Sequence, residues 1–165
     1  MIGDSIMLDA APDLKEELPG WDIDAMQNRQ ASECVDLAAV LRNEGHVKHT
    51  VVISLGTNAP LSEGDIEAIL YELGSDVSVF WVNLFGRTVT WENESNQLLQ
   101  NLSEKYSNLT IIDWRDLIID HPEWLWEDAE HPNLEGSKIF SQLIRESLEV
   151  VIDKQSKESG SSQSQ

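Results

Sequence analysis

Apolar residues follow two rhythms along this chain. Three short runs, at 50–55, 77–82 and 109–113, are apolar at most positions and rich in β-branched residues. Runs of that length and composition predict strands buried on both faces. A weaker candidate alternates over 21–25. Elsewhere the apolar positions recur every three or four residues, which predicts helices over 34–44, 65–73, 91–106 and 134–151. Ser62, Thr90 and Asn133 stand where N-caps belong, and Gly45 where a helix should stop. Pro12 suits the first turn of a short helix running to Leu18.

Strands alternating with helices predict an α/β domain: a three-layer α/β/α sandwich around a parallel sheet of about five strands. Crossovers in such a sheet are right-handed, and a site is expected beyond the carboxyl ends of the strands. The first strand has almost no length, because Met1-Ile2 stand directly before Gly3-Asp4-Ser5. It reads as truncated, as in a piece of a longer protein. The domain is expected over 1–152, and 153–165, without an apolar anchor, as a disordered tail.

Composition narrows the classes. A chain of 165 residues fits one domain with a proper core. The formal net charge of -19 argues against nucleic acid or an anionic membrane face as partner and leaves neutral or cationic substrates. No apolar run is long enough to span a bilayer, and no signal peptide is visible. Cys34 is the single cysteine, so no internal disulfide forms, and its apolar helical setting predicts a small core residue. No group of residues has metal-ligand spacing, and no cofactor is expected.

Three motifs sit where the predicted strands end. Gly3-Asp4-Ser5 puts a serine after a tight turn, near amide N–H groups that can face a developing oxyanion. Gly56-Thr57-Asn58 follows the 50–55 strand, and Asn58 offers a side-chain amide at the same edge. Asp128-Ala129-Glu130-His131 spaces a carboxylate three residues from an imidazole, so that the carboxylate can hold Nδ1 and leave Nε2 free for a serine proton. Each motif alone is as well explained by a turn, a cap or an acidic surface loop. Their order and their common sheet edge carry the argument. His46 and His49 lie in a polar connection, and His121 lacks a comparable companion.

These motifs resemble blocks I, III and V of the SGNH (GDSL-type) hydrolases, which implies a flavodoxin-like sheet. Further positions resemble the extracytoplasmic SGNH domain of acyltransferase-3 proteins, among them the peptidoglycan O-acetyltransferases: Asp24-Ala25, Arg29-Gln30, Trp81-Val82-Asn83, Arg87, Trp91-Glu92, Asn96 and Ile112-Asp113-Trp114. The resemblance implies Ser5 as nucleophile, His131 as base, Asp128 as its orienting partner, and the Ser5 N–H and Asn58 as oxyanion donors. It implies an acetyl donor, a cell-envelope glycan acceptor, and an upstream membrane domain that places this domain at the extracellular face of a bacterial membrane. The isolated domain is expected to be monomeric. Arg29, Asn83, Arg87 and Trp91 are candidates for substrate binding, with loop packing as the alternative for the last three. Trp114, Trp124 and Trp126 crowd the last block, where core packing competes with stacking on sugars. The chain departs from the pattern at Ala129, where glycine is usual, and at Gly86, where proline often precedes the arginine. An acetylesterase would use the same three residues, and a non-catalytic glycan-binding remnant is the reading from another class.

Overall fold

The computed structural model describes the backbone of residues 1–161 and the side chains of residues 1–150. Five strands form one parallel sheet: β1 (Ile2–Gly3), β2 (Asp24–Ala25), β3 (Thr50–Ser54), β4 (Ser78–Val82) and β5 (Leu109–Ile112), in the order β2-β1-β3-β4-β5. This is the expected α/β/α arrangement. The three apolar runs became its long strands, with β3 and β4 covered on both faces and the edge strand β5 exposing Thr110. In β3, Val51 and Ile53 enter one core cluster and Val52 the other. In β4, Val79 and Trp81 face the first cluster, Phe80 and Val82 the second. Strand alternation therefore splits one apolar run between two cores.

Helices α2 (Cys34–Asn43), α3 (Glu63–Leu73) and α4 (Glu92–Lys105) cover the first face. Helices α1 (Ser5–Glu17), α5 (Trp114–Ile118) and α6 (Leu134–Ser161) cover the second. Cys34 is buried, as its setting predicted. Ser62 caps α3 by accepting the Asp65 N–H at 3.1 Å. Among the described residues no helix is long and apolar enough to cross a membrane.

Short β1 suffices because both neighbours hold it. Ile2 and Gly3 pair with Asp24 and Ala25 on one side and with Ile53 and Ser54 on the other. Its length also limits β2, which shrinks from the expected 21–25 to two paired residues. Helix α1 begins at Ser5, well before Pro12, so the short helix expected from Pro12 is corrected. The cap from Asp4 and the buried stripe Ile6, Met7, Ala10 and Leu14 set its start. Pro12 forfeits only the bond to the Leu8 carbonyl, and both residues lie on the exposed face, where water replaces the missing donor. Helix α6 continues to Ser161; of the expected tail over 153–165, the backbone of 153–161 is described within this helix, while its side chains and residues 162–165 lie outside the described residues.

The strand order fixes where a site can form. The chain leaves β1 toward β2 on one side and then crosses to β3 on the other. The reversal opens a crevice between the carboxyl ends of β1 and β3. Ser5 and Asn58 belong to the two loops that flank it.

Candidate active site

Gly3 starts the construction. A Cβ there would stand 2.4 Å from Met7 Cβ, so only glycine lets α1 fold back so tightly over β1. Asp4 then caps α1, its carboxylate accepting the Ile6 N–H at 3.1 Å. Ser5 follows as the first helical residue, half-buried, in the turn whose amide N–H groups have no acceptor within the helix. The helix dipole makes this turn a favourable place for negative charge.

The last motif arrives from the far end of the chain. An antiparallel bridge between Leu125 and Pro132 closes the loop, and the Trp126 N–H donates to the His131 carbonyl at 2.9 Å. Within it, Ala129 takes φ 57°, the left-handed conformation that glycine adopts freely. That turn brings Asp128 Oδ1 to the N–H groups of Glu130 and His131, both at 3.0 Å. Asp128 Oδ2 lies 2.9 Å from His131 Nδ1, and His131 Nε2 lies 2.9 Å from Ser5 Oγ. Desolvation pushes the Asp128 carboxyl up, but the two backbone N–H groups and the imidazole outweigh it, so it titrates below its ordinary value. The three residues thus form a continuous relay in which the carboxylate stays ionised, the imidazole is oriented, and Nε2 meets the hydroxyl.

Gly56 bends the third loop with φ 126°, and a Cβ there would stand 2.8 Å from Leu84. Its turn sets Asn58 Nδ2 at 3.4 Å from the Arg29 carbonyl and the Thr57 hydroxyl and 3.5 Å from Asp4 Oδ2. All three contacts are long, so the amide retains the ability to turn a proton toward an oxyanion.

The other candidates form the frame around this edge. Arg29 is buried, and its guanidinium donates to the Asp24 carboxylate and carbonyl at 2.6 Å and to the Gly3 carbonyl at 3.3 Å. It ties the ends of β1 and β2 together beneath the serine. Asn83 bridges Asp113 and the Arg115 N–H, joining the ends of β4 and β5. Trp91 donates its indole N–H to the Gly56 carbonyl at 2.8 Å and so supports the turn that carries Asn58. Arg87 is exposed, with its N–H on the Ala129 carbonyl at 3.3 Å, beside the histidine turn. Among the tryptophans, Trp114 is buried edge-on against Phe140, Trp124 stacks on His121 at 3.8 Å, and Trp126 is 53% exposed. A cavity of about 410 Å³ opens at the opposite end of the sheet, among Met1, Trp21, Ile23, His49 and Val51, far from the relay. The side-chain geometry, and not cavity size, marks the site.

Comparisons with known proteins bear on the fold and its relatives. No protein-family profile matches the chain. It is 31% identical over 147 residues to YrhL of Bacillus subtilis and 26% identical over 144 residues to the peptidoglycan O-acetyltransferase OatA of Listeria monocytogenes. These alignments cover 89% and 87% of this chain but 23% and 22% of the relatives, so the chain spans about a quarter of their length. In three dimensions it superposes on the C-terminal catalytic domain of Streptococcus pneumoniae peptidoglycan O-acetyltransferase A, solved with a methylsulfonyl adduct. The TM-score is 0.83, at 26% identity, over 92% of both chains. The chain has the fold of the SGNH (GDSL-type) hydrolases. Its serine, asparagine and histidine motifs stand at one sheet edge, and sequence reasoning gave no role to two threonines near them. Thr57 donates its hydroxyl to Asp4 Oδ2 at 2.7 Å. Thr88 likewise donates to Glu130 at 3.0 Å, beside His131. Both have partners far away in sequence, and although Thr57 lies inside the Gly56-Thr57-Asn58 motif, no local spacing marks its contact with Asp4.

Proposed function

We propose that this SGNH domain is a serine-dependent O-acetyltransferase acting on hydroxyls of a cell-envelope glycan. The observation that carries it is the unbroken relay from Ser5 through His131 to Asp128, with both side-chain links at 2.9 Å. Ser5 Oγ attacks the carbonyl carbon of an acetyl donor while His131 Nε2 takes the hydroxyl proton. The tetrahedral oxyanion is met by the Ser5 N–H and Asn58 Nδ2. The intermediate collapses, the donor's oxygen leaves with the proton from His131, and acetyl remains on Ser5. A sugar hydroxyl then gives its proton to His131 and attacks the acyl-enzyme, which returns Ser5 and releases the acetylated sugar. Asp128 holds the imidazole tautomer throughout.

The likeness to peptidoglycan O-acetyltransferases supports a glycan acceptor, and the fourfold greater length of the relatives supports a place within a larger protein. In this account residues 1–152 are the transfer domain, an upstream membrane domain supplies acetyl groups, and the domain works at the outer face of a bacterial membrane. In this reading the exposed Arg87 and Trp126, whose backbone N–H groups meet the Ala129 and His131 carbonyls of the histidine turn, serve as acceptor contacts.

Hydrolysis is the second reading, because water reaches the relay: the His131 and Asp128 side chains are 30% and 51% exposed. Release of nitrophenol from p-nitrophenyl acetate, with and without a chitooligosaccharide, separates the cases. Serine-dependent release that yields acetylated sugar means transfer. The same release without acetylated sugar from a panel of glycans means an esterase. No release from folded protein leaves a non-catalytic glycan-binding remnant.

A further inference from the structure

Asp4 is a fully buried charge that takes no part in the chemistry above. Burial pushes its carboxyl up to about 6, against the pull of hydrogen bonds from Thr57 and Ile6, and the nearby Glu130 adds to the push. A buried carboxylate is expensive unless its contacts hold it. Oδ1 accepts the N–H of Ile6, the residue after Ser5, at 3.1 Å. Oδ2 accepts the Thr57 hydroxyl at 2.7 Å and stands 3.5 Å from Asn58 Nδ2. One side chain therefore grips both the helix start that carries Ser5 and the turn that carries Asn58.

From this grip we propose that Asp4 is a positioning residue, holding the Ser5 end of α1 and the Asn58 turn in register so that nucleophile and oxyanion donor meet the same carbonyl. The inference rests on the serine-acyl reading above. Asp4 touches no reacting atom and acts through Ile6, Thr57 and Asn58. An amide has one acceptor oxygen where the carboxylate uses two, so in Asp4→Asn the Ile6 N–H and the Thr57 hydroxyl can no longer both donate to it, and the grip is weakened. Thr57→Val removes the hydroxyl and keeps the shape, while Thr57→Ser keeps the hydroxyl.

The test measures kcat and KM for p-nitrophenyl acetate on the full chain. The proteins compared are wild type, Ser5→Ala, Asp4→Asn, Thr57→Val and Thr57→Ser, each with a thermal melt. Misplacement predicts kcat lower by about 10- to 100-fold in Asp4→Asn and Thr57→Val, with KM within about threefold. Thr57→Ser recovers most of the kcat lost in Thr57→Val. Ser5→Ala activity at the wild-type level overturns the serine reading itself, whatever the other variants do. A silent Ser5→Ala with wild-type kcat in both Asp4→Asn and Thr57→Val overturns the positioning role alone. Activity losses that track melting temperature across all three positioning variants also overturn it, because the role is then one of stability only.

Discussion

Gly3→Ala perturbs the joint between sheet and nucleophile with one methyl group. The added Cβ would lie 2.4 Å from Met7 Cβ, 2.6 Å from Met7 Sδ and 2.8 Å from Met7 Cγ. Gly3 is not among the residues with positive φ, so the substitution carries no backbone strain and isolates the contact. Sδ and Cγ can swing away, but Met7 Cβ is fixed to α1 and Met7 is fully buried. Relief therefore requires α1 to lift from β1. Overpacking of this kind costs about 1–3 kcal/mol. For a domain of this size that is a fall of roughly 2–12 °C in Tm. Lifting α1 also moves Ser5 away from His131 Nε2, so kcat for p-nitrophenyl acetate falls about 10- to 100-fold. Met7→Ala in the Gly3→Ala background does not restore the Tm, because the Cβ contact at 2.4 Å remains and a fully buried side chain is lost. A Gly3→Ala protein with wild-type Tm and wild-type kcat refutes the close-approach argument.

Other outcomes follow from the same geometry. Asp128→Asn leaves the imidazole without its anionic partner, and kcat falls by about 100- to 10,000-fold with the fold intact by circular dichroism; unchanged kcat removes Asp128 from the relay. Ala129→Gly relieves a left-handed alanine and raises stability by up to about 1 kcal/mol in urea titrations, the gain trimmed by the freer unfolded chain; a loss contradicts the φ argument. Asp4 has its carboxyl raised to about 6 in the folded state, so the native chain holds a proton that the unfolded chain releases above its ordinary value of 3.8. Stability from this group is present below that ordinary value and is lost as pH rises through about 6, by on the order of 3 kcal/mol. Melts of wild type and Asp4→Asn between pH 4 and 7 check it: the wild-type Tm should decline relative to the variant across that window, and parallel curves contradict the buried-charge account.

The long strands were legible because burial on both faces writes itself as an unbroken apolar run, as in 50–55 and 77–82. The site blocks were legible because each stands directly after a strand or before a helix. Pro12 misled because propensity places proline at helix starts, while the true start lies at the Asp4 cap and the buried Met7 stripe. The strand-bridging contacts of Arg29 and Asn83 were not legible, because their partners are set by the fold and not by local spacing. Helix α5 was missed since five residues carry too little periodicity. The grip of Asp4 on Thr57 joins positions far apart in the chain, and no spacing rule reaches across them.

The central claim is that Ser5 is a nucleophile activated by His131. Treating the folded chain with a methylsulfonyl fluoride reagent and mapping the adduct by peptide mass spectrometry tests it most directly. The account predicts one adduct, on the peptide that carries Ser5, lost in Ser5→Ala and formed far more slowly in His131→Ala. Folded protein that stays unmodified, or that is labelled equally in Ser5→Ala, contradicts it.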